Sequence, residues 1–183
     1  MLTREPELAT ARLWLRRWCE ADCEPFARLN ADPEVMRHFP ALLTRAESDA
    51  LIARFNAHFD RYGYGIWALE IPGVTSLAGF IGLKHVDFDA SFVPAVEIGW
   101  RMRRDLWGQG YATEAAEAVL THGFEALGFG EIVSFTTRDN LRSRAVMERI
   151  GMVRDAAQDF EHPALPLGHR QRPHVLYRAQ RSS

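Results

Sequence analysis

The residues with the clearest chemical content form one run, Arg103-Arg104-Asp105-Leu106-Trp107-Gly108-Gln109-Gly110-Tyr111-Ala112-Thr113-Glu114-Ala115. A strand-like stretch empties there into a glycine-rich turn, and the turn opens into a helix-like stretch. Glycine lets backbone approach an anion closely and present successive N–H groups. A helix N-terminus adds unpaired donors and a partial positive charge. A phosphate or pyrophosphate is the ligand such a turn takes. The alternative is a tight turn that binds nothing. The run is not a dinucleotide-binding fingerprint, because the third glycine is missing, and it lacks the Gly-Lys-Ser/Thr ending of a nucleotide phosphate loop.

The elements around this turn read as one layered unit. Leu13, Leu15 and Trp18 mark an opening strand. Glu20 to Arg37 is helix-like but carries Pro25 and Pro33, which predicts a short helix, a turn and one more turn of helix. Thr44-Arg45-Ala46-Glu47 has the form of a capping box, and Ala50, Leu51, Phe55 and Phe59 continue the stripe to Gly63. Strands follow at 66–71 and 77–86, joined by Pro72-Gly73, and a third at 95–102. In that third strand Val96, Ile98, Trp100 and Met102 share one face, while Glu97, Gly99 and Arg101 share the other. Gly110 to Leu127 reads as a helix stopped by Gly128, and 132–136 as a strand. Asn140 can cap a helix ended by Gly151. The tail returns as strands around a long loop, 162–173. The fold class is mixed α/β, with a largely antiparallel first half.

Composition sets the outer limits. The 183 residues suit one domain, with 10–179 as its body and 1–9 and 180–183 as tails. Lys+Arg 22 against Asp+Glu 24 gives a net charge of -2, so electrostatic binding to nucleic acid or anionic lipid lacks its main driving force. No apolar run approaches the ~20 residues that cross a bilayer, and the first six residues lack a secretory leader's apolar stretch. A cytoplasmic protein is the expectation. Cys19 and Cys23 read as two thiols on one helix face, and the histidine spacing matches no zinc pattern, so no metal is expected.

Three segments in order carry a family resemblance. Trp107-Gly108-Gln109-Gly110-Tyr111-Ala112 closely resembles the pyrophosphate-binding turn of the GNAT acetyltransferase superfamily, Gln/Arg-x-x-Gly-x-Gly/Ala, with Trp107 where a basic or amide residue usually stands. Val96-Glu97-Ile98-Gly99-Trp100 is similar to the strand before that turn. The segment from Asn140 to Met152 is similar to the family's second coenzyme motif. The form Trp-Gly-x-Gly-Tyr-Ala-Thr-Glu-Ala resembles the branch that holds the bacterial ribosomal-protein N-terminal acetyltransferases.

The resemblance implies a GNAT-like fold, with a largely antiparallel central sheet flanked by helices and strands that splay around acetyl-coenzyme A. It implies transfer of the acetyl group to a primary amine, either a protein N-terminus or a small molecule, and leaves a homodimer open. Trp107, Gly108, Gln109, Gly110, Tyr111, Ala112 and Thr113 would receive the pyrophosphate. The backbone of Ile98, Trp100 and Met102 would meet the pantetheine arm as an added strand, with Asn140 and Ser143 completing the coenzyme site. A backbone N–H around Ile98–Trp100 would hold the oxyanion.

Acetylation needs a base, because an amine of pKa ~8–10 is mostly ammonium at neutral pH. Glu97 is the candidate, the alternative being a solvated or salt-bridged strand carboxylate near Arg101 or Arg103. The family's usual acid for the departing thiolate is a tyrosine seven residues after the motif's asparagine. Met147 stands there and cannot donate a proton. Ser143 is the replacement, the alternative being a helix-start residue. Phe39, Tyr62, Tyr64 and Trp67 are candidate walls for the acceptor, and Arg37 and Arg170 candidate partners for an acidic one. The missing tyrosine keeps a second function in view, a non-catalytic acyl-coenzyme A sensor or partner-binding module.

Overall fold

The computed structural model describes residues 6–181. Chain order is β1 (Leu8–Ala9), β2 (Trp14–Arg16), α1 (Cys23–Asn30), α2 (Arg45–Tyr62), β3 (Ile66–Ile71), β4 (Thr75–His85), β5 (Val96–Met102), α3 (Tyr111–Glu125), β6 (Glu131–Thr137), α4 (Leu141–Arg149), β7 (Val153–Arg154), β8 (Phe160–Glu161) and β9 (Pro173–Gln180). The sheet runs β1-β2-β3-β4-β5-β6-β9-β7, with β8 also on β9. All pairs are antiparallel except β5–β6, where α3 provides the crossover that a parallel pair requires. The first and last strands in the chain, β1 and β9, take in Leu8–Ala9 and Gln180. Residues 1–5 and 182–183 of the expected tails lie outside the described residues.

Local rules explain most boundaries. Thr44 and Glu47 form the capping box, with the Thr44 side chain accepting from the Glu47 N–H, and Gly63 ends α2 at φ 76°. Asn140 caps α4 by accepting from the Ser143 N–H at 3.3 Å. Three expectations change. Pro25 does not interrupt α1, because it sits in the first turn, where its absent N–H has no intrahelical carbonyl to meet. After Pro33 there is no regular helix, only turns with one helical hydrogen bond, Met36 N–H to the Asp32 carbonyl at 3.0 Å. Cys19 precedes a short 3₁₀ turn and Cys23 opens α1, so the two free thiols do not share one helix face.

Each side of the sheet has its own core. On one, α3 lies close, because Ala115, Ala116 and Gly123 give it a small-residue face; a Cβ on Gly123 would stand 2.6 Å from Ile132 Cδ1. Val96, Ile98 and Met102 point into this core, together with Met147 from α4. On the other side α1 and α2 bury Phe26, Leu29, Ile52 and Phe55 against Ile66, Ala68, Leu77 and Phe80. Glu97, Gly99 and Arg101 lie on this second side, in register with Lys84, Gly82 and Phe80 of β4. The packing therefore hands the α3 turn to one end of β5 and the carboxylate of Glu97 to the other.

Candidate active site

The site begins where two strands part. β4 and β5 stay paired from Gly79↔Met102 to His85↔Val96, but β5 and β6 share one register pair, Glu97↔Val133. Beyond it β6 remains on β9 as far as Thr137↔His174. The backbone of 98–102 thus leaves β6, and the Ser134 hydroxyl bridges the mouth of the gap by donating to the Ile98 carbonyl at 2.9 Å. The gap is part of one continuous cavity of about 2050 Å³. Pockets for drug-sized ligands are ~300–1,000 Å³, so there is space for a long cofactor and a second molecule together.

At one end lies the glycine turn. Gly108 and Gly110 adopt φ 77° and 81°, the left-handed region that glycine enters without a Cβ penalty. Gly110 occupies the cap position of α3 with no side chain to cap it, leaving the first N–H groups of the helix open toward the cavity. Ile98, Trp100, Met102, Trp107, Gly108, Gly110, Tyr111, Ala112, Thr113, Asn140 and Ser143 all line the cavity, as does Glu97. Gln109 does not. Its carbonyl accepts from Arg12 Nη1 at 3.0 Å, and its side chain donates to the Asp105 carbonyl at 3.3 Å. Trp107 is structural through its indole, which donates to the Met102 carbonyl at 3.0 Å and ties the turn to the end of β5.

Two cations at this turn escaped the sequence reading. Arg142 lies 4.3 Å over the Trp107 ring and lines the cavity, so positive charge reaches the turn although Trp107 carries none. Arg12 is held by Glu114 at 2.6 Å, stacks 4.5 Å over Tyr111, and places Nη2 3.4 Å from where a Gly110 Cβ would be. Arg142 was within the quoted motif. Nothing local in the sequence links Arg12 to a turn about a hundred residues away.

At the middle of the cavity stands Glu97, 9% exposed. Its Oε1 pairs with Lys84 Nζ at 3.1 Å, and its Oε2 is buried with no hydrogen-bond partner among the described residues. Burial raises its pKa above the ordinary carboxylate value, and the Lys84 ammonium offsets only part of that effect. Of the alternative, the salt bridge is present but its partner differs: Glu97 pairs with Lys84 of the facing strand, while Arg103 pairs with Asp105 at 2.7 Å and Arg101 lines the cavity. A raised carboxylate with an open oxygen is suited to taking a proton from a cationic donor.

The acceptor half is only partly as expected. Phe39, Tyr62 and Arg37 line the cavity. Tyr64 and Trp67 do not; each is buried, Tyr64 hydrogen-bonded to His85 Nε2 at 2.8 Å and Trp67 donating to Glu7 at 2.7 Å. Arg170 lies on a separate small depression with Gln171, whose side chain donates to the Arg37 carbonyl at 2.8 Å. Met147 is 1% exposed, and its side chain belongs to the α3–α4 core while touching the cavity.

A splayed mixed sheet whose gap runs onto an uncapped glycine turn is the arrangement that the GNAT resemblance implies, and the comparisons show the family. A family model described as an acetyltransferase (GNAT) domain matches residues 12–153, and the chain belongs to that family. It is similar to FsC-acetyl coenzyme A-N(2)-transacetylase of Aspergillus fumigatus, 32% identical over 155 residues that cover 81% of this chain and 65% of that protein. An acetyltransferase structure from Agrobacterium tumefaciens matches with a TM-score of 0.78 at 27% identity, over 96% of this chain and 95% of the other. RimL, a ribosomal alpha-N-protein acetyltransferase in complex with coenzyme A, shares the fold at a TM-score of 0.75 and 17% identity, over 95% and 97% of the two chains. Among the described residues no group of side chains is arranged to hold a metal ion, and no helix is long and apolar enough to cross a membrane.

Proposed function

We propose that the chain transfers an acetyl group from acetyl-coenzyme A to a primary amine by direct attack. The observation that carries this reading is the open Glu97 oxygen, placed in one cavity with the splayed strands and the uncapped α3 turn. The pyrophosphate lies on the N–H groups at 110–113, with Arg12 and Arg142 beside it. The pantetheine arm enters the β5–β6 gap along 98–102. Glu97 takes a proton from the ammonium, directly or through one water. The amine nitrogen then attacks the thioester carbonyl, the C–S bond breaks, and the thiolate leaves and is protonated to free coenzyme A. The name of the Aspergillus fumigatus relative, a transacetylase using acetyl-coenzyme A at a nitrogen, supports the same class of reaction.

The test is release of free thiol from acetyl-coenzyme A across an amine panel, with the acetylated amine identified by mass. One observation favours a second reading, a coenzyme-binding module without turnover: Met147 occupies the usual acid position and is packed into the core. Tight acetyl-coenzyme A binding with no thiol release from any amine would establish that alternative.

Ser143 is the donor proposed for the leaving sulfur. Its backbone N–H is engaged by Asn140, and its side chain lines the cavity one turn into α4. A hydroxyl there can donate to sulfur directly or through an ordered water. Ser143→Ala should then lower kcat by ~3–10-fold with acetyl-coenzyme A affinity nearly intact, since the bond strengthens as charge builds on sulfur. Weaker binding at unchanged kcat would make Ser143 a coenzyme contact only.

A further inference from the structure

Two arginine side chains are buried among the described residues, and the fold treats them oppositely. Arg16, 2% exposed, has two anionic partners, Asp22 at 2.8 Å and Glu70 at 2.7 Å, and also donates to the Ser76 carbonyl at 2.6 Å. Arg101, 9% exposed, has no carboxylate within ion-pair distance among those residues. Its Nη1 donates to Asn30 Oδ1, its guanidinium lies 4.0 Å over Phe39 and 5.2 Å over Phe80, and its Nε is buried with no partner. Burial pushes its pKa down to about 10, which leaves it charged at neutral pH. A buried charge without a counter-ion is costly, and proteins rarely keep one unless something supplies the missing anion.

The cation is held in place for a purpose that packing does not explain. Asn30 is fully buried, and its amide donates to the Ser48 hydroxyl at 3.1 Å, so α1 and α2 together fix the oxygen that receives Arg101. Arg101 lines the cavity on the β5 face that also carries Glu97. Between them is Gly99, where an added Cβ would meet nothing within 4 Å. The floor from the carboxylate to the guanidinium is therefore bare. The coenzyme's phosphates have their own receptors elsewhere, on the α3 turn beyond the end of β5.

We infer that the acceptor is an anionic amine, whose carboxylate docks on Arg101 while its amine lies at Glu97. This rests on the acetyltransferase reading above and specifies its substrate class. Four residues along a strand span ~13 Å between Cα atoms, so the amine and carboxylate must be several bonds apart. A free amino acid's own carboxylate, one carbon from its amine, is too near. The side-chain carboxylate of an acidic second residue in a short peptide has the reach. A carboxylate accepting from a buried guanidinium gains directed hydrogen bonds, whereas the matching amide leaves the charge uncompensated.

The test uses two peptide amides, Gly-Glu and Gly-Gln, which differ by one carboxylate. With the wild-type chain kcat/KM should favour the Glu peptide by ~10-fold or more, chiefly through KM. In Arg101→Met the preference should collapse to about twofold or less, and Arg101→Lys should retain part of it. Equal rates for the two peptides in wild type would overturn the inference while leaving the acetyltransferase reading intact, and this arm needs no variant to fold. A preference that survives Arg101→Met, or a variant whose main defect is a higher KM for acetyl-coenzyme A, would also overturn it. If neither peptide nor any other amine is acetylated, the enzymatic reading fails, and binding decides the inference separately. N-acetylated Gly-Glu amide should then bind wild type at least ~10-fold more tightly than its Gln counterpart by calorimetry; equal binding would reject the anion site.

Discussion

Gly110→Glu should raise the dissociation constant for acetyl-coenzyme A by ~100-fold or more while the chain stays folded. The new side chain starts from a residue at φ 81°, in the left-handed region, which costs about 1–2 kcal/mol for a residue with a Cβ. For a chain of this length that lowers Tm by only a few degrees. The larger effect is electrostatic. The added carboxylate stands at the α3 N-terminus, with Arg12 Nη2 3.4 Å from its Cβ, and can pair with that cation. The variant carries its own anion where the pyrophosphate belongs. Gly110→Ala separates the two causes, because it imposes the same backbone strain without charge, and should lose much less affinity. Calorimetry showing wild-type affinity in folded Gly110→Glu would remove the turn from the coenzyme site.

Glu97→Gln should lower kcat by ~10²-fold or more at neutral pH, the usual scale for losing a general base. The defect should shrink at high pH, where the amine is already free. Because burial raises the Glu97 pKa, the acid limb of the wild-type kcat/KM profile should lie above the ordinary carboxylate range, and the variant should lack that limb. The same shift has a stability consequence. The folded state holds this proton more tightly than the unfolded chain, so wild-type stability declines as pH rises from the unfolded pKa through the raised folded value. The difference in Tm between variant and wild type should therefore move in the variant's favour as pH rises above the ordinary carboxylate range. Normal variant rates across the pH range would take Glu97 out of the chemistry.

What could be read in advance follows a physical divide. Features governed by near neighbours were legible: the Thr44–Glu47 box, the Asn140 cap, the glycine turn, and the two faces of β5. Features set by distant chain were not. Lys84 meets Glu97 only because β4 and β5 pair in one particular register. Arg101 meets Asn30 only because α1 packs on that face of the sheet. Its type and position were visible, but its missing counter-ion is a property of the folded surroundings. Aromatic identity misled for the same reason, since Tyr64 and Trp67 suit a pocket wall as well as a core and the fold placed both inside. Pro25 misled because its penalty depends on how far into a helix it falls.

The parting of β5 from β6 also acts as a gauge of shape. Its closed end is set by the Glu97–Val133 pair and the Ser134 bridge to Ile98, so the slot is already open when a visitor arrives. An unpaired strand edge on the outside of a protein invites any passing chain. Here the edge is internal, with sheet on both sides and residues of α3 and α4 lining the same cavity. An extended molecule with amide groups along its length can pair into it as an added strand.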